Sequence, residues 1–414
     1  MYKMKEFSLG ANQDGDLNTV FCGVSLSSPV LIAPNPITSS FETIKALSKL
    51  GLGGVIIKSI STLKSDKPNR RNLLYDDFCL YSTGALSGEV IDIDTGTRLL
   101  QYAKNQNLVV VASVLGYYKS IESWSTLIKE IDNTCADMIE LNLRYSFPSP
   151  RSYPFPSESG HDVSLDGLIA HLRNNLRFTC ELCRIAKELS NKPIIVKLFP
   201  DYMTIAFAIQ CEKGGANGVT LVNSLNTIAP PRLPNGVPPY NFVNEQSYSM
   251  CSGSVLRPLV YKYIYEVKKT TNLSISACGG ISEAAHVLEA IMLGADVCQI
   301  GTAALVKGKN HVKQLISQLC KYTDQFKLGD LKGAALKHIV PAEKREFFKC
   351  HAVINREEDC RKCAQCPVEV VLCGAITERG SHNFPQIDET KCYGCGLCAK
   401  LCKLDNIFLL KTTE

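Results

Sequence analysis

The chain has no long apolar run and little excess charge of either sign. Its longest compact apolar run, Leu108–Val114, is far short of the roughly 18 residues that cross a bilayer, so we expect no membrane span. The 45 lysines and arginines nearly balance the 40 aspartates and glutamates, which leaves a formal charge of +5. Because nucleic-acid binding requires a concentrated basic surface, this balance predicts no nucleic-acid partner.

Two further absences concern targeting and nucleotide binding. Residues 1–6 contain no apolar stretch of the kind that signal peptides carry, so we expect a reducing cytoplasm. A GxGxxG turn, which binds dinucleotides in doubly wound sheets, is also missing, since the first predicted strand is followed by Ala33-Pro34-Asn35-Pro36. We therefore expect NAD(P)H to bind to another chain.

Cysteine, by contrast, is abundant near the C-terminus. Of the 19 cysteines, nine lie between residues 350 and 402, and eight of these follow the spacing of a module with two [4Fe–4S] clusters. In such modules the fourth ligand of each run belongs to the other cluster. The predicted ligand sets are Cys360, Cys363, Cys366 and Cys402 for one cluster, and Cys392, Cys395, Cys398 and Cys373 for the second. The ninth cysteine, Cys350, is interpreted as structural.

Zinc and disulfide bonds are the alternative uses of these cysteines. Zinc modules usually contain CxxC pairs rather than CxxCxxC triplets, and a disulfide framework requires an oxidising compartment. The spacing therefore favours iron–sulfur clusters. It departs from the usual pattern in two places: the segment between Cys366 and Cys373 is longer, and Lys403 replaces the proline that usually follows the last cysteine.

Short β-branched runs alternate with amphipathic stretches over the first 320 residues, as in parallel strands joined by crossover helices. Eight strands are predicted, at residues 30–32, 55–58, 108–114, 138–143, 194–198, 219–222, 274–277 and 297–300. The first helix is expected to begin with a capping box at Ser39-x-x-Glu42. Eight such units predict an α/β fold, a (β/α)8 TIM barrel, rather than a doubly wound sheet. We expect the barrel in residues 1–340 and a small α+β domain in residues 341–414.

The chemistry of a TIM barrel is found where its strands end, and polar or flexible residues occupy those positions here. In strand order these residues are Ala33 and Asn35, Lys58 and Ser59, Ser113, Asn142, Lys197, Asn223 and Ser224, Gly279 and Gly280, and Gly301 and Thr302. Each has a structural explanation by itself, such as an asparagine that caps a turn. Together they indicate a binding site.

The last two strand ends are suited to phosphate. Backbone N–H groups of Gly279-Gly280 and Gly301-Thr302 can approach an anion, and Ser252-Gly253 can add further donors. At the fifth strand, Lys197 can stabilise negative charge on a reduced flavin ring. FMN satisfies both features, whereas a phosphosugar substrate is the alternative. The clusters favour FMN, because single electrons need a cofactor that converts them into hydride.

These residues resemble the FMN-binding dihydroorotate dehydrogenase family. The matching motifs are Ala33-Pro34-Asn35-Pro36, Gly53–Ser59, Glu140–Leu143, Val196–Leu198, Asn223-Ser224, Ser252-Gly253, Gly279–Ile281 and Gly301-Thr302. The order of barrel and two-cluster module is similar to the flavin- and pyrimidine-binding half of dihydropyrimidine dehydrogenases, and it covers essentially the whole chain.

The resemblance implies a specific set of ligands and partners. FMN would be held by Lys58, Asn142, Lys197, the glycine motifs and Thr302, and a bacterial-ferredoxin-like domain would hold two [4Fe–4S] clusters. A small-molecule substrate would stack on the flavin and contact Asn142, Asn223 and Ser224. An external redox partner, either a flavin/NAD(P)H subunit or a ferredoxin, would exchange electrons with the clusters in a homo- or hetero-oligomer.

Two motifs depart from the family. In the family, Asn-Leu is followed by Ser-Cys-Pro, whose cysteine protonates the substrate; here Asn142-Leu143 is followed by Arg144-Tyr145-Ser146. Tyr145 occupies the cysteine position by direct counting, and Ser146 does so if one residue is inserted. Both hydroxyls are candidate proton donors. Arg144 is either a substrate-binding cation or a surface residue.

The second departure is Tyr81-Ser82-Thr83-Gly84, which stands where the family has Asn-Ser-Met-Gly and therefore lacks its amide. Three functions remain open. The first is an FMN- and iron–sulfur-dependent oxidoreductase acting on a C=C/CH–CH bond of a small polar substrate. The second is a true dihydropyrimidine or dihydroorotate dehydrogenase subunit, and the third is a non-catalytic electron-transfer or assembly subunit. For the enzymes we expect catalysis to involve Lys58, Lys197 and either Tyr145 or Ser146.

Overall fold

A computed structural model describes residues 17–62, 73–75, 78–82, 90–117, 120–143, 165–237, 249–346, 349–362, 373–376 and 385–411. The chain divides into two compact units, and the boundary falls between His338 and Ile339. Among the described residues, no helix is both long enough and apolar enough to span a membrane.

The first unit contains fourteen described strands and nine described α-helices. The strands are β1 (Thr19–Phe21), β2 (Val24–Leu26), β3 (Val30–Ile32), β4 (Gly54–Ile60), β5 (Leu73–Tyr75), β6 (Leu80–Ser82), β7 (Val109–Val114), β8 (Met138–Asn142), β9 (Ile194–Leu198), β10 (Gly218–Leu221), β11 (Leu225–Thr227), β12 (Ser249–Ser252), β13 (Ser274–Cys278) and β14 (Val297–Ile300). The helices are α1 (Phe41–Leu47), α2 (Ile93–Lys104), α3 (Ile121–Asp132), α4 (Leu165–Leu189), α5 (Thr204–Lys213), α6 (Arg257–Thr270), α7 (Ala284–Met292), α8 (Thr302–Thr323) and α9 (Leu328–Leu331).

Eight parallel strands close into a barrel in the order β3, β4, β7, β8, β9, β10, β13 and β14, and β14 pairs with β3. The predicted TIM barrel is therefore confirmed, and every predicted barrel strand matches an observed one within two residues at each end. All seven residues of β4 and all five of β8 are buried. Both faces of these strands are covered, which explains their almost continuous apolar sequence.

The helices pack on the barrel through apolar stripes. In α3 the buried residues are Trp124, Leu127, Ile128 and Ile131, which recur at the spacing of one helix face. Ser120 caps this helix by accepting a hydrogen bond from the backbone N–H of Ser123. Both features agree with the sequence pattern.

A repeated contact joins neighbouring strands at the amino-terminal end of the barrel. Asp137, Asn217 and Asp296 each precede a strand by one residue. Their side-chain oxygens accept the backbone N–H of Val110, Ile194 and Ile275, respectively, at 2.7–3.0 Å. Their own backbone N–H groups donate to the carbonyl oxygens of the same three residues. Each side chain also accepts from a lysine, namely Lys104, Lys187 or Lys332. We call these three contacts the strand clamps.

One predicted feature of the first unit is wrong, and one observed feature was not predicted. The predicted capping box at Ser39–Glu42 is wrong, because α1 begins after Ser40, whose side chain makes no capping hydrogen bond. Asn35 instead caps a 3-10 turn at Pro36–Thr38, and Ser39 is the C-cap of that turn. The unforeseen feature is an antiparallel sheet in the order β11-β12-β6-β5.

The second unit contains the strands β15 (Cys350–Ile354) and β16 (Ile407–Lys411), which pair antiparallel. Its described helices are α10 (Glu357–Lys362) and α11 (Leu397–Leu401), and an isolated bridge links Ile376 with Ile387. A small core packs Ala352, Ile376 and Ile407 against Cys398 and Cys402. Cysteine side chains are thus part of the interior of this unit.

Candidate active site

The strand ends of the barrel surround one cavity. All but one of the predicted cofactor-binding residues line it, namely Ala33, Asn35, Lys58, Ser59, Asn142, Lys197, Asn223, Ser252, Gly253, Gly279, Gly280, Gly301 and Thr302. The predicted substrate residue Ser224 lines it as well. The exception, Ser113, is completely buried and shares a hydrogen bond with the wall residue Ser59.

A row of hydrogen bonds crosses the wall from β7 to the segment after β10. The hydroxyls of Ser113 and Ser59 share a hydrogen bond of 3.1 Å, and Asn142 Nδ2 donates to Ser59 Oγ at 3.1 Å. Asn223 Nδ2 donates to Asn142 Oδ1 at 3.0 Å, and Asn223 Oδ1 accepts the Ser224 backbone N–H at 2.8 Å. The two asparagines therefore hold each other in fixed orientations at the cavity surface.

The opposite side of the cavity is built from glycines that tolerate no side chain. Gly253, Gly279 and Gly280 have φ values of 114°, 127° and 75°, a region that favours glycine. A Cβ atom on Gly280 would lie 2.7 Å from Arg257 Cβ, and one on Gly253 would lie 2.6 Å from the Phe78 carbonyl oxygen. The backbone is thus exposed to any ligand bound here.

Two further elements shape this glycine-rich side. Helix α8 begins at Thr302, which lines the cavity, so the backbone N–H groups of its first turn lie beside the cavity, and the helix is interrupted at Gly308. The hydroxyls of Thr302 and Ser252 share a hydrogen bond of 2.9 Å. The side-chain amide of Asn35 is used within the cavity wall itself. Its Nδ2 donates to the Ala33 carbonyl, and its Oδ1 accepts from Ile37 N.

The cavity is electropositive. Lys58 and Lys197 line it with less than a tenth of their surface exposed, and Lys307 adds a third cation. None of the described residues in its lining is an aspartate or a glutamate. A cavity lined by charges of one sign attracts ligands of the opposite sign, so this cavity favours an anionic ligand. Exposed glycine backbone, a helix N-terminus and two buried lysines fit the phosphate and the ring of FMN.

Behind Lys197 lies a group of buried polar side chains that the sequence analysis did not identify. Lys197 Nζ donates to Gln299 Oε1 at 3.0 Å and lies 3.9 Å from Glu140 Oε1. Thr220 Oγ1 donates to Glu140 Oε2 at 2.8 Å. A signal was available, because Glu140, Thr220 and Gln299 are isolated polar residues in otherwise apolar strands.

Cys278 also borders this group. Burial raises the pKa of its thiol, whereas the nearby Lys197 ammonium, which donates a hydrogen bond to it, lowers that pKa. Cys278 lines the cavity at the end of β13. The thiol is therefore a neutral, weakly accepting neighbour of the lysine.

The antiparallel sheet contributes Tyr75, Phe78, Leu80 and Ser82 to the cavity lining. Of the altered motif Tyr81–Gly84, the first two residues belong to β6, and Thr83 and Gly84 lie outside the described residues. The predicted substrate residue Arg144 and the two candidate proton donors, Tyr145 and Ser146, also lie outside the described residues.

A second, smaller cavity lies in the C-terminal unit. Its cysteine lining consists of Cys373, Cys392, Cys395 and Cys398, which is the ligand set predicted for one cluster. The backbone N–H of Ala352 donates to Cys392 Sγ at 3.3 Å, and that of Asn406 donates to Cys402 Sγ at 3.3 Å.

The other predicted set is described only in part. Cys360 and Cys402 are buried, whereas Cys363 and Cys366 lie outside the described residues. Among the residues that the structure covers, no three His, Cys, Asp or Glu side chains converge on the position of a single metal ion.

Comparison with known proteins identifies the barrel. Residues 16–322 match the family model described as dihydroorotate dehydrogenase. The chain belongs to the dihydroorotate dehydrogenase family. It is thus a flavin-dependent oxidoreductase acting on CH–CH groups, as the sequence analysis expected.

Individual members of the dihydroorotate dehydrogenase family resemble the chain over different spans. The NAD-dependent dihydropyrimidine dehydrogenase subunit PreA of Escherichia coli (strain K12) is 26% identical over 404 residues, which cover 94% of this chain and 85% of that protein. The catalytic subunit of dihydroorotate dehydrogenase B (NAD(+)) from Thermoplasma volcanium is 26% identical over 328 residues, 78% of this chain and 99% of that protein. Its counterpart from Pyrococcus horikoshii is 25% identical over 333 residues, 76% of this chain and 96% of that protein.

Proposed function

We propose that the chain is the catalytic subunit of an FMN- and iron–sulfur-dependent oxidoreductase that acts on a C=C/CH–CH bond of a small polar substrate. The observation that carries this proposal is the electropositive cavity at the barrel mouth, where Lys58, Lys197, Asn142 and the glycine motifs meet. When bound there, FMN supplies hydride transfer to carbon and one-electron exchange with clusters.

The residues of the chain have distinct roles in this proposal. Backbone N–H groups of Gly253, Gly280 and Gly301 bind the phosphate, and Lys197 supplies a positive charge to the ring. Asn142 and Asn223 orient the substrate through their interlocked amides. Tyr145 or Ser146 supplies or accepts the proton at the substrate carbon that does not exchange hydride.

The C-terminal unit is proposed to hold two [4Fe–4S] clusters in a bacterial-ferredoxin-like domain, residues 341–414. The support is the cavity around Cys373, Cys392, Cys395 and Cys398, whose thiols surround a space rather than a point. Such an arrangement suits a [4Fe–4S] cube, which takes one thiolate at each of its four iron atoms. Backbone N–H groups directed at cysteine sulfur are a further feature that tunes such clusters.

The electron partner is proposed to be a separate protein, either a flavin/NAD(P)H subunit or a ferredoxin. The named relatives are subunits, and their names include NAD. The alignment with PreA covers 94% of the chain and so extends into the C-terminal unit, whereas the dihydroorotate dehydrogenase B subunits match 78% or less. A cytoplasmic location agrees with oxygen-sensitive clusters.

A second candidate is a true dihydropyrimidine dehydrogenase subunit, and the extent of the match to PreA favours it. One experiment separates the two. The purified chain is mixed anaerobically with dihydrouracil, dihydroorotate and a panel of other reduced, polar CH–CH compounds, and bleaching of the flavin absorbance is recorded.

Bleaching by dihydrouracil would support the second candidate, and bleaching by dihydroorotate would assign the dihydroorotate reaction. Bleaching by a different compound alone would support the first. If the chain contains iron but no FMN, both enzymatic proposals are wrong and the non-catalytic alternative holds.

A further inference from the structure

The hydrogen bonds behind Lys197 have a defined direction. An ionised carboxylate only accepts hydrogen bonds, so the Thr220 hydroxyl must donate its single hydrogen to Glu140 Oε2. The oxygen of Thr220 is then free to accept, and Gln299 Nε2 lies 3.0 Å from it. Gln299 Nε2 also lies 3.0 Å from Glu140 Oε2. Both amide hydrogens of Gln299 are thereby used.

Because the amide NH2 group of Gln299 faces Glu140 and Thr220, its amide oxygen Oε1 faces Lys197. If the amide were flipped, its NH2 group would face the lysine ammonium and its oxygen would face the carboxylate. Both contacts would be repulsive. Three strands, β8, β10 and β14, thus combine to present one fixed acceptor to Lys197 Nζ at 3.0 Å.

Gln299 also prevents a direct ion pair. Glu140 Oε1 lies 3.9 Å from Lys197 Nζ, beyond hydrogen-bond distance, and it has no hydrogen-bond partner among the described residues. A carboxylate in direct contact would draw the ammonium down into the barrel. With the amide between them, the opposite charge stays near enough to offset the burial of the lysine. The remaining donors of Lys197 are left for Cys278 and the cavity.

We propose that Gln299 is a positioning residue, held by Glu140 and Thr220, that directs the Lys197 ammonium at the flavin ring. This inference rests on the proposed binding of FMN. A correctly placed cation stabilises the reduced, more negative form of the ring relative to the oxidised form. Gln299 therefore acts on the reduction potential through Lys197.

The test uses the full chain with its cofactors and the variant Gln299→Leu, which removes both amide atoms while preserving a similar volume. Its matched control is Ser276→Ala, because Ser276 is buried on β13 and its hydroxyl has no hydrogen-bond partner among the described residues. The measurements are the FMN content per chain and the midpoint potential of the bound FMN.

We expect Gln299→Leu to retain FMN, because the phosphate-binding glycines are unchanged. We expect the preference for reduced over oxidised FMN to fall by about tenfold, a decrease of about 30 mV for a two-electron couple. Ser276→Ala should leave the potential at the wild-type value. A potential in Gln299→Leu that matches the control overturns the inference while leaving the proposed function intact.

A second variant covers the case in which Gln299→Leu does not fold. Gln299→Met keeps an unbranched side chain of similar length but offers Lys197 no amide oxygen, so the potential should fall by a similar amount. An unchanged potential in that variant likewise overturns the inference. If the wild-type chain binds no FMN, the proposed function fails and the inference fails with it.

Discussion

Asn223 donates its side-chain amide hydrogen to Asn142 Oδ1 at 3.0 Å, so the two asparagines at the cavity wall are oriented by each other. In Asn223→Ala, Asn142 Oδ1 loses the donor that orients it, so the Asn142 amide can turn. We expect kcat/KM to fall by about ten- to a hundredfold, the equivalent of a lost buried hydrogen bond of about 1.4–3 kcal/mol. Steady-state kinetics with the substrate found by the anaerobic panel measure this effect.

The matched control for this prediction is Asn226→Ala. Asn226 is three residues further along, is exposed on β11 and does not line the cavity. Equal losses in the two variants would contradict a specific role for Asn223.

Lys197 has separable effects on turnover and on stability. Lys197→Met should reduce turnover by a factor of about 10²–10³, the usual effect of removing a charge-stabilising donor. It should also lower the free energy of unfolding by about 3–5 kcal/mol, because Glu140 is left buried without its counter-charge. Denaturant unfolding and turnover assays measure the two effects.

The double variant Lys197→Met/Glu140→Leu tests the origin of the stability loss. We expect it to regain most of the free energy of unfolding while turnover stays low. If stability does not recover, the loss does not come from an uncompensated carboxylate.

The cysteines of the C-terminal unit offer a test of the cluster assignment. Cys395→Ser removes a proposed ligand, so the iron content should fall from about eight to about four atoms per chain if one of two [4Fe–4S] clusters is lost. Cys350→Ser is the control, because Cys350 packs against Gly394 in the same unit but is not a proposed ligand. An iron content that falls equally in both variants would contradict the assignment.

The strand clamps predict how single substitutions affect stability. Asp137→Ala removes the acceptor for the Val110 N–H and for Lys104, so the free energy of unfolding should decrease by about 1–3 kcal/mol. Asp137→Asn should cost less, because asparagine already occupies the equivalent position at Asn217. Thermal or denaturant unfolding measures both variants. If Asp137→Ala and Asp137→Asn lower the free energy of unfolding equally, the hydrogen bond accepted from the Val110 N–H is not the source of the stability.

The thiol of Cys22 links stability to alkaline pH. Burial raises its pKa from 9.0 to about 12, so the folded chain holds this proton more tightly than the unfolded chain. The stability that it contributes is complete below pH 9 and is lost as pH rises toward 12. In Cys22→Ala, the free energy of unfolding should fall less steeply over this range, by up to about 1.4 kcal/mol per pH unit. If the free energy of unfolding falls equally steeply with pH in the wild type and in Cys22→Ala, the prediction is wrong.

The barrel could be predicted from the sequence because its signals are local. Each strand, such as Ile194–Leu198, is a short apolar run, and a helix such as α3 has both a cap and an apolar stripe. The positions of Lys197 and Asn142 followed from the same pattern, because carboxyl ends of parallel strands meet at one end of a barrel.

The parts that were missed depend on distant pairing. Gln299 matters only because the barrel brings it to Glu140, 159 positions earlier in the sequence. The capping box was misplaced because Asn35 and Thr38 form one around the 3-10 turn, so Ser39 lies at the end of that turn rather than at the start of α1. The antiparallel sheet could not be predicted either, since its central strands, β6 and β12, come from separate excursions of the chain.

That pairing has a consequence for exchanging parts between relatives. Strand β6 follows the second barrel strand and β12 follows the sixth, yet Ser82 pairs with Met250 and Leu80 with Ser252. Phe78 O, just before β6, accepts hydrogen bonds from Ser254 Oγ and Val255 N, beside the cavity glycine Gly253. The two excursions therefore form one module at the mouth of the barrel. A chimera that imports one of them alone would break this pairing, so a substrate range should transfer between relatives only when both are exchanged together.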